Sequence, residues 1–441
     1  MRRRWMVGLI LFGILSGGSA LAQTPPAPLT LEESIKIALE QNLTVLSATE
    51  GVQASQFRQK AARTEFLAMW TGQYSYTWYN NPVSVGFGQV VGLGTTSGLG
   101  LTQNLYNFNT SLNQPIYTGG SISSNYRLEK LGVDISKATV DTAKLDVVVQ
   151  VRDGYFVILR AEKFLDVAKQ AVKQFEAQLE VAKAFFDVGI VAKNDVLQAE
   201  VRLANAVQAL VVAENNVATA KASFNTLLRR NIDTPLEVVD ILQYKPFALK
   251  FEEAVGEALQ QRPEIKAAGL SIDQAKEAVK IAKSDYFPTI SLAGNYVRTS
   301  DELTLTGDVA GDRWTVQALA TFNIFDWGKT YYRVGESKVK VNQAENSKAQ
   351  LIDGITLDVK QAYLSMMQSE KNIGVAQKSI EQAEENLRMN EERYKYQVAT
   401  ATDVLDAVVL LAQARVNYYG ALSDYNIALA QLDRAMGRMY P

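Results

Sequence analysis

The chain has 441 residues, with 45 Lys and Arg against 47 Asp and Glu, and neither Cys nor His. A net charge of −2 gives nucleic acid no electrostatic reason to bind. The two missing residue types remove the common zinc, haem and iron–sulfur ligands, so no metal or cofactor is expected, and they rule out Ser-His-Asp and Cys-His catalysis.

Arg2-Arg3-Arg4 is a charged n-region, Trp5 to about Leu15 is a short apolar stretch, and Ala20-Leu21-Ala22 is a small-x-small cleavage site. Residues 1–22 therefore read as a secretory signal peptide, with Gln23 the mature start and no Cys there to carry a lipid. No later run approaches about 18 consecutive apolar residues, so no transmembrane helix is expected. An exported chain of this kind would have to cross a membrane with strands.

Thr24–Pro28 is a Pro-rich, extended leader. Thr30-Leu31-Glu32-Glu33 is a capping box, and helical pattern runs on from it to about Phe66. The period then changes to two. Trp70, Tyr74, Tyr76 and Trp78 alternate with Thr71, Gln73, Ser75 and Thr77, which predicts a strand over about 70–80. Asn81–Gly100 is Gly-rich and aperiodic, a loop. A second strand, over about 102–116, carries Tyr106, Phe108, Thr110 and Leu112 on one face. Its other face is Asn107, Asn109, Ser111 and Asn113. Asn is a poor strand former and needs partners when buried, so two such faces suit lipid on one side and water on the other.

Pro115 and Gly119-Gly120 end that strand and turn the chain into a long helix. No Pro occurs between Pro115 and Pro235. Apolar residues recur at steps of three and four, among them Val151, Tyr155, Ile158, Leu165 and Val172. After a turn at Val188–Asn194, Val196, Leu203, Leu210, Val217 and Phe224 follow seven apart. A seven-residue repeat gives a left-handed coiled-coil seam, so 121–229 is expected to be a helical hairpin. Its outgoing arm of about 65 residues would be roughly 100 Å long.

An irregular link, Asn231–Lys250, leads into a repetition of the whole programme. Glu32/Glu252, Ala38/Ala258, Gln41/Gln261 and Tyr76/Tyr296 match at an offset of 220 (252 − 32). Ile116/Ile324, Gly120/Gly328, Tyr155/Tyr363 and Asp195/Asp403 match at 208 (403 − 195). The offset changes inside the strand–strand loop, where insertions are tolerated. The second repeat has strands over about 290–299 and 314–325, with Trp314, Val316, Ala318, Ala320 and Phe322 on one face of the latter, and a hairpin over 329–437. The expected domains are thus 1–22, 23–250 and 251–441. The fold class is mainly α with a membrane β-barrel. Each strand of about 10 residues suffices to cross a bilayer when tilted, but four cannot close a barrel. Two chains would pool 8 strands and three would pool 12, with their hairpins forming a helical tube below.

Several segments together resemble the TolC-like outer-membrane efflux proteins. They are Gln114-Pro115-Ile116-Tyr117-Thr118-Gly119-Gly120 at the first strand–helix corner, Phe287-Pro288, Val188-Gly189-Ile190 with Asp195-Val196 at the first tip, and Thr402-Asp403-Val404-Leu405-Asp406-Ala407 at the second. The resemblance covers Thr30 to Gly437 in both repeats. It implies a homotrimer with a shared 12-stranded barrel in the outer membrane and an α-barrel in the periplasm. It also implies a periplasmic adaptor and an inner-membrane pump as partners, for efflux or type I secretion. Departures are Ala68 and Asn323 where the other repeat has Pro, Gln397 for the Gly expected at the second tip, Ala399 for a latching Arg, and Ala192 for a hydroxyl cap.

By the same resemblance Asp403 and Asp406 would form the pore constriction, and Asp195 and Tyr394 would make closed-state tip contacts. Val188, Gly189, Ile190, Gln397 and Val398 would dock the adaptor. Trp70, Trp78, Tyr106 and Trp314 would be lipid-facing girdle residues. Bland roles compete. Thr400-x-x-Asp403 is also a capping box, Asp195 a first-turn cap, Tyr394 a seam residue and Gly189 a helix C-cap. A nonspecific porin and a soluble periplasmic coiled-coil scaffold are the alternative functions. A porin would not need arms of roughly 100 Å.

Overall fold

The computed structural model describes residues 28–84, 101–307 and 311–439. The expected signal peptide, leader residues 24–27 and loop residues 85–100 lie outside the described residues. The elements come twice in one order. The first set is α1 (Leu31–Gln41), α2 (Leu43–Thr64), β1 (Met69–Ser84), β2 (Leu101–Thr118), α3 (Ser121–Asp187) and α4 (Lys193–Leu227). The second is α5 (Phe251–Gln261), α6 (Pro263–Ser284), β3 (Thr289–Ser300), β4 (Gly311–Thr321), α7 (Lys329–Lys395) and α8 (Ala401–Met436). The long helices α3 and α7 have 67 residues each.

The backbone repeats more closely than the side chains. Apart from Leu305, the left-handed residues described stand in pairs 208 apart (327 − 119): Gly119 and Trp327, Gly120 and Gly328, Gly189 and Gln397, Arg229 and Gly437. Three of these pairs place a side chain where the other repeat has glycine. Each such residue carries a strain of about 1 kcal/mol, so the turn geometry is imposed by the helices that flank it.

The four strands form one antiparallel sheet in the order β1-β2-β3-β4, with β1 and β4 at its unpaired edges. Below it lie two helical layers. Near the sheet, α2, α3, α6 and α7 stand side by side; farther away the order is α4, α3, α8, α7. Sheet and layers therefore share two lateral edges, one along β1, α2 and α4, the other along β4 and α7. Between the helical layers, α1 and the link pack against one face of α3, and α5 packs against α7 and α8. The Tyr155 hydroxyl, on α3, donates to the carbonyls of Leu29 and Val239 and ties this belt to the wall. Cores sit under each half of the belt and, separately, between the hairpins near their tips. Of the α8 residues seven apart, Val404, Leu411, Tyr425 and Leu432 are buried and Tyr418 is half-buried; in α4 Val196 and Phe224 are buried, while Leu203, Leu210 and Val217 are half-buried.

Three expectations need correction. The helical pattern from Leu31 to Phe66 is two helices. Asn42 adopts an extended conformation (ψ 129°) and its side chain accepts from the Thr44 amide at 2.9 Å, capping α2. The fourth strand is Gly311–Thr321 rather than 314–325, so Phe322 falls beyond it. There the Asp326 carboxylate accepts from the Gly328 and Thr330 amides at 3.1 and 2.8 Å, committing the segment to the entry of α7. Finally, α4 is long and apolar enough to cross a membrane, although its apolar residues are not consecutive. It is one arm of a hairpin with α3, and its apolar face, including Val201 and Val211, lies on the open edge of the layer.

Candidate channel and its tips

The sheet sorts its side chains by face. Residues directly opposite in an antiparallel ladder project to the same side. Trp70 pairs with Leu112, Leu112 with Gly294, and Gly294 with Val316; one step along, Gly72, Thr110, Tyr296 and Trp314 are aligned. Tyr76 pairs with Tyr106, their rings 4.8 Å apart, two residues from Trp78. All four girdle candidates thus share one aromatic face. Trp70 and Trp314 sit at one height and Trp78 and Tyr106 at another. Eight residues separate Trp70 from Trp78, about 27 Å along a strand, or about 20 Å along a membrane normal at the usual tilt. The opposite face carries Thr71, Gln73, Ser75, Asn107, Asn109, Ser111, Asn295, Thr315 and Gln317. An apolar outer band with a polar inner face is what a barrel wall in lipid requires.

At the other end, each outgoing helix stops in the same motif. The Gly189 amide donates to the Phe186 carbonyl and the Ile190 amide to Phe185, both at 2.9 Å. Gln397 donates to Tyr394 at 3.0 Å and Val398 to Arg393 at 2.9 Å. These are two Schellman C-caps, with Gly189 at φ 78° and Gln397 at φ 61°. Gln397 therefore keeps the geometry that its composition put in doubt. Val188, Ile190 and Val398 are exposed, and a Cβ added at Gly189 would meet nothing within 4 Å. The returning helices start differently. Ala192 gives α4 no side-chain cap, whereas Thr400 and Asp403 form the full capping box of α8.

Asp403 and Asp406 are exposed beside buried Val404 and Leu405. The Asp403 carboxylate accepts from the Thr400 amide and hydroxyl, both at 2.8 Å, and these bonds hold its carboxyl below the usual carboxylate range. Asp406 is paired with Arg202 of α4 at 2.7 Å. One turn earlier, the Thr402 hydroxyl meets the Gln198 carboxamide at 2.7 Å. These contacts join the two returning helices, and nothing in the sequence pointed to Arg202 or Gln198. Each contact links residues 204 apart (406 − 202), one turn out of step with the 208 repeat, so the pairing arises only when the hairpins pack.

Tyr394 is buried, with its ring 5.4 Å from that of Phe185 on the other hairpin. Its hydroxyl makes no hydrogen bond. Burial raises its pKa, and the nearby charge of Asp195 adds to the shift. Tyr394 and Asp195 are thus neighbours across the hairpins without being bonded.

The outer membrane efflux protein family model matches the chain twice, over residues 34–228 and 254–438. The outer membrane efflux protein BepC of Brucella suis is 23% identical over 435 residues, 98% of this chain and 90% of its own. The outer membrane protein TolC of Vibrio cholerae is 23% identical over 300 residues, 66% of this chain and 68% of its own. Among solved structures, the CmeC outer membrane channel of Campylobacter jejuni superposes with a TM-score of 0.76 at 18% identity, covering 99% of this chain and 94% of that one. With both halves matched, this chain belongs to the outer membrane efflux protein family: it is an efflux channel of the outer membrane, its helices reaching into the periplasm.

Proposed function

We propose that three copies of the chain close into one export duct, a 12-stranded barrel continued by a helical tube. The observation that carries this reading is the pair of open edges shared by sheet and helices. An unpaired strand edge is not tolerated in lipid. The helical edges expose apolar stripes, Leu197, Val201 and Val211 on α4 and Leu357, Leu364 and Val375 on α7. One lateral neighbour covers all of them at once. Four strands per chain need at least two copies, and a 12-stranded barrel leaves a lumen where a small one fills with side chains. The duct is passive and has no catalytic step. Energy and cargo come from an inner-membrane pump through a periplasmic adaptor.

On this reading residues 23–250 and 251–441 are the two repeats. Trp70, Trp78, Tyr106 and Trp314 lie against lipid, and Asp403 and Asp406 narrow the periplasmic end. Tyr394 and Asp195 take part in the packed, closed arrangement of the hairpins. Val188, Gly189, Ile190, Gln397 and Val398 form the surface on which the adaptor's helices dock, since exposed apolar residues around a small one invite a partner.

Two measurements test this. In mild detergent the protein is expected at about three protomer masses; a monodisperse, natively folded monomer would overturn the assembly. Gly189→Trp is expected to abolish export at normal trimer yield, and full export by that variant would remove the docking role.

A further inference from the structure

The duct wall contains a cleft that none of the roles above uses. It lies between α3 and α4 at the level of the belt and has a volume of about 560 Å³. Val157, Phe164, Ala213, Phe224 and Leu227 give it an apolar lining, and Asp153 brings a carboxyl group to its wall. Gly154 is what brings α4 this close on one side: a Cβ there would stand 2.9 Å from the Phe224 ring.

The cleft opens away from the belt. Tyr155 points to the belt, through its bonds to Leu29 and Val239. Asp153, Val157 and Phe164 lie about 160–200° around α3 from Tyr155, at about 100° per residue. In the tube proposed above a belt on the inner face would fill the lumen, so the belt lies outside and the opposite face of α3 faces the lumen.

The charges near the cleft do not cancel. Arg160 lines it, but its guanidinium is paired with Asp424 of α8 at 3.2 Å. Arg152, the neighbour of Asp153, is paired with Asp433 at 2.7 Å, and its charge also acts on Asp153. From α8, Gln431 bonds to the Asp153 side chain. From α4, the polar lining residues are Asn216, Thr219 and Ser223, all uncharged. Asp153, Asp424 and Asp433 against Arg152 and Arg160 leave one net negative charge (2 − 3). The buried Asp153 Oδ1 makes no hydrogen bond, and its carboxyl, pushed up to about 6 by burial, still ionises at neutral pH.

We propose that the α3–α4 cleft is a binding site in the duct wall for an organic cation with an apolar body. The inference rests on the export-duct reading and gives it a cargo class. The volume falls within the range of small-molecule sites, roughly 300–1,000 Å³. An apolar wall holds the body of the ligand, and the net negative charge around the half-buried Asp153 carboxylate selects the sign of its charge. A hydrophilic multivalent cation would leave the apolar wall unused and is better suited to the tips.

The test uses the full-length protein in nanodiscs, in an Asp403→Asn, Asp406→Asn background so that the tips cannot bind the probe. Saturable binding of tetraphenylphosphonium is measured above that of empty discs. The anion tetraphenylborate, of nearly the same shape, is the control. We expect binding of the cation, weakened about tenfold or more by Asp153→Asn, and no saturable binding of the anion. Ala213→Phe, which fills the cleft without touching the charge, should weaken cation binding as much. Unchanged cation binding in both variants, absent binding in the parent, or equal affinity for the anion would overturn the site. Conductance in planar bilayers separates the two readings. A conducting channel that fails these binding criteria leaves the duct intact and removes the site. A protein that meets them but never conducts leaves the site and removes the duct.

Discussion

At the scale of single residues, the backbone state of a position outlasts its identity. Gly189 and Gln397 occupy the same left-handed C-cap, at φ 78° and 61°. The repeat aligned the two positions in sequence but did not show that Gln397 keeps the left-handed state, because a Gln carries no mark of that conformation. The ionised pair at the second tip was also half legible. The capping role of Asp403 was written in its spacing from Thr400, while the Arg202–Asp406 contact depends on packing between helices far apart in the chain. Asp153 illustrates the opposite problem, a carboxylate in an ordinary-looking helical run whose burial only the fold creates. Its folded pKa of about 6 lies above the ordinary Asp value of 3.8. The folded state therefore holds the proton more tightly than the unfolded chain. Stability should rise as pH falls through about 6, reach its full gain below about 4, and be lost again as pH climbs back. Asp153→Asn should melt above the wild type at pH 7.5, and the gap should shrink steadily toward pH 4. Thermal unfolding of both proteins across that range checks this; parallel curves would mean that Asp153 is not the buried acid the structure describes.

At the scale of elements, periodicity located every long helix and strand, and failed where a break leaves no periodic trace. The first repeat runs through Asn42 without Pro or Gly nearby, so the pattern reads as one helix. Only the second repeat marks the same break, with Pro263 standing 220 positions after Leu43 (263 − 43). The two breaks are held by different chemistry. Asn42 caps α2 with its side chain, whereas Arg262 offers no cap and is fixed by ion pairs to Glu264 and Asp358 at 3.0 and 3.2 Å. Pro263 at the first helical position needs no amide partner, so the second break can dispense with a cap. Asn42→Ala should therefore lower stability by about 1 kcal/mol, the usual loss of an N-cap. Arg262→Ala should lower it more, since Glu264 is left largely buried with one partner fewer. Chemical denaturation of the detergent-solubilised protein ranks the two. An Asn42→Ala loss near zero would show that tertiary packing alone, rather than the cap, sets the break. The end of β4 was missed for a related reason. Phe322 keeps the alternation of the strand, but Asp326 has already bound the amides that open α7.

At the scale of the whole molecule, the tips unite the charge of the duct with its mechanics. Asp403 and Asp406 are three residues apart and share one exposed face of α8. A trimer would bring up to six such carboxylates around the axis where the duct narrows. Half of them are matched in the packed arrangement, because each Asp406 faces Arg202 of its own chain. Arg202 is 41% and Asp406 54% exposed at the side chain, so the pair is screened and worth at most about 1 kcal/mol. A contact that weak can break when the hairpins part, and breaking it would unmask Asp406. The negative field at the constriction should then grow as the tube opens. Such a field attracts cations and lets multivalent ones block the pore, with an effect that fades once screening shortens to about 8 Å near physiological ionic strength. Asp403→Asn with Asp406→Asn should therefore remove block by a trivalent cation in single-channel recordings. Fold and trimer yield should change little, because Asn still caps a helix. Arg202→Gln should act in the other direction, strengthening block at low salt by freeing Asp406. If the double variant keeps the block and ion selectivity of the wild type, these two residues serve only to start and fasten α8, and the constriction lies elsewhere in the duct.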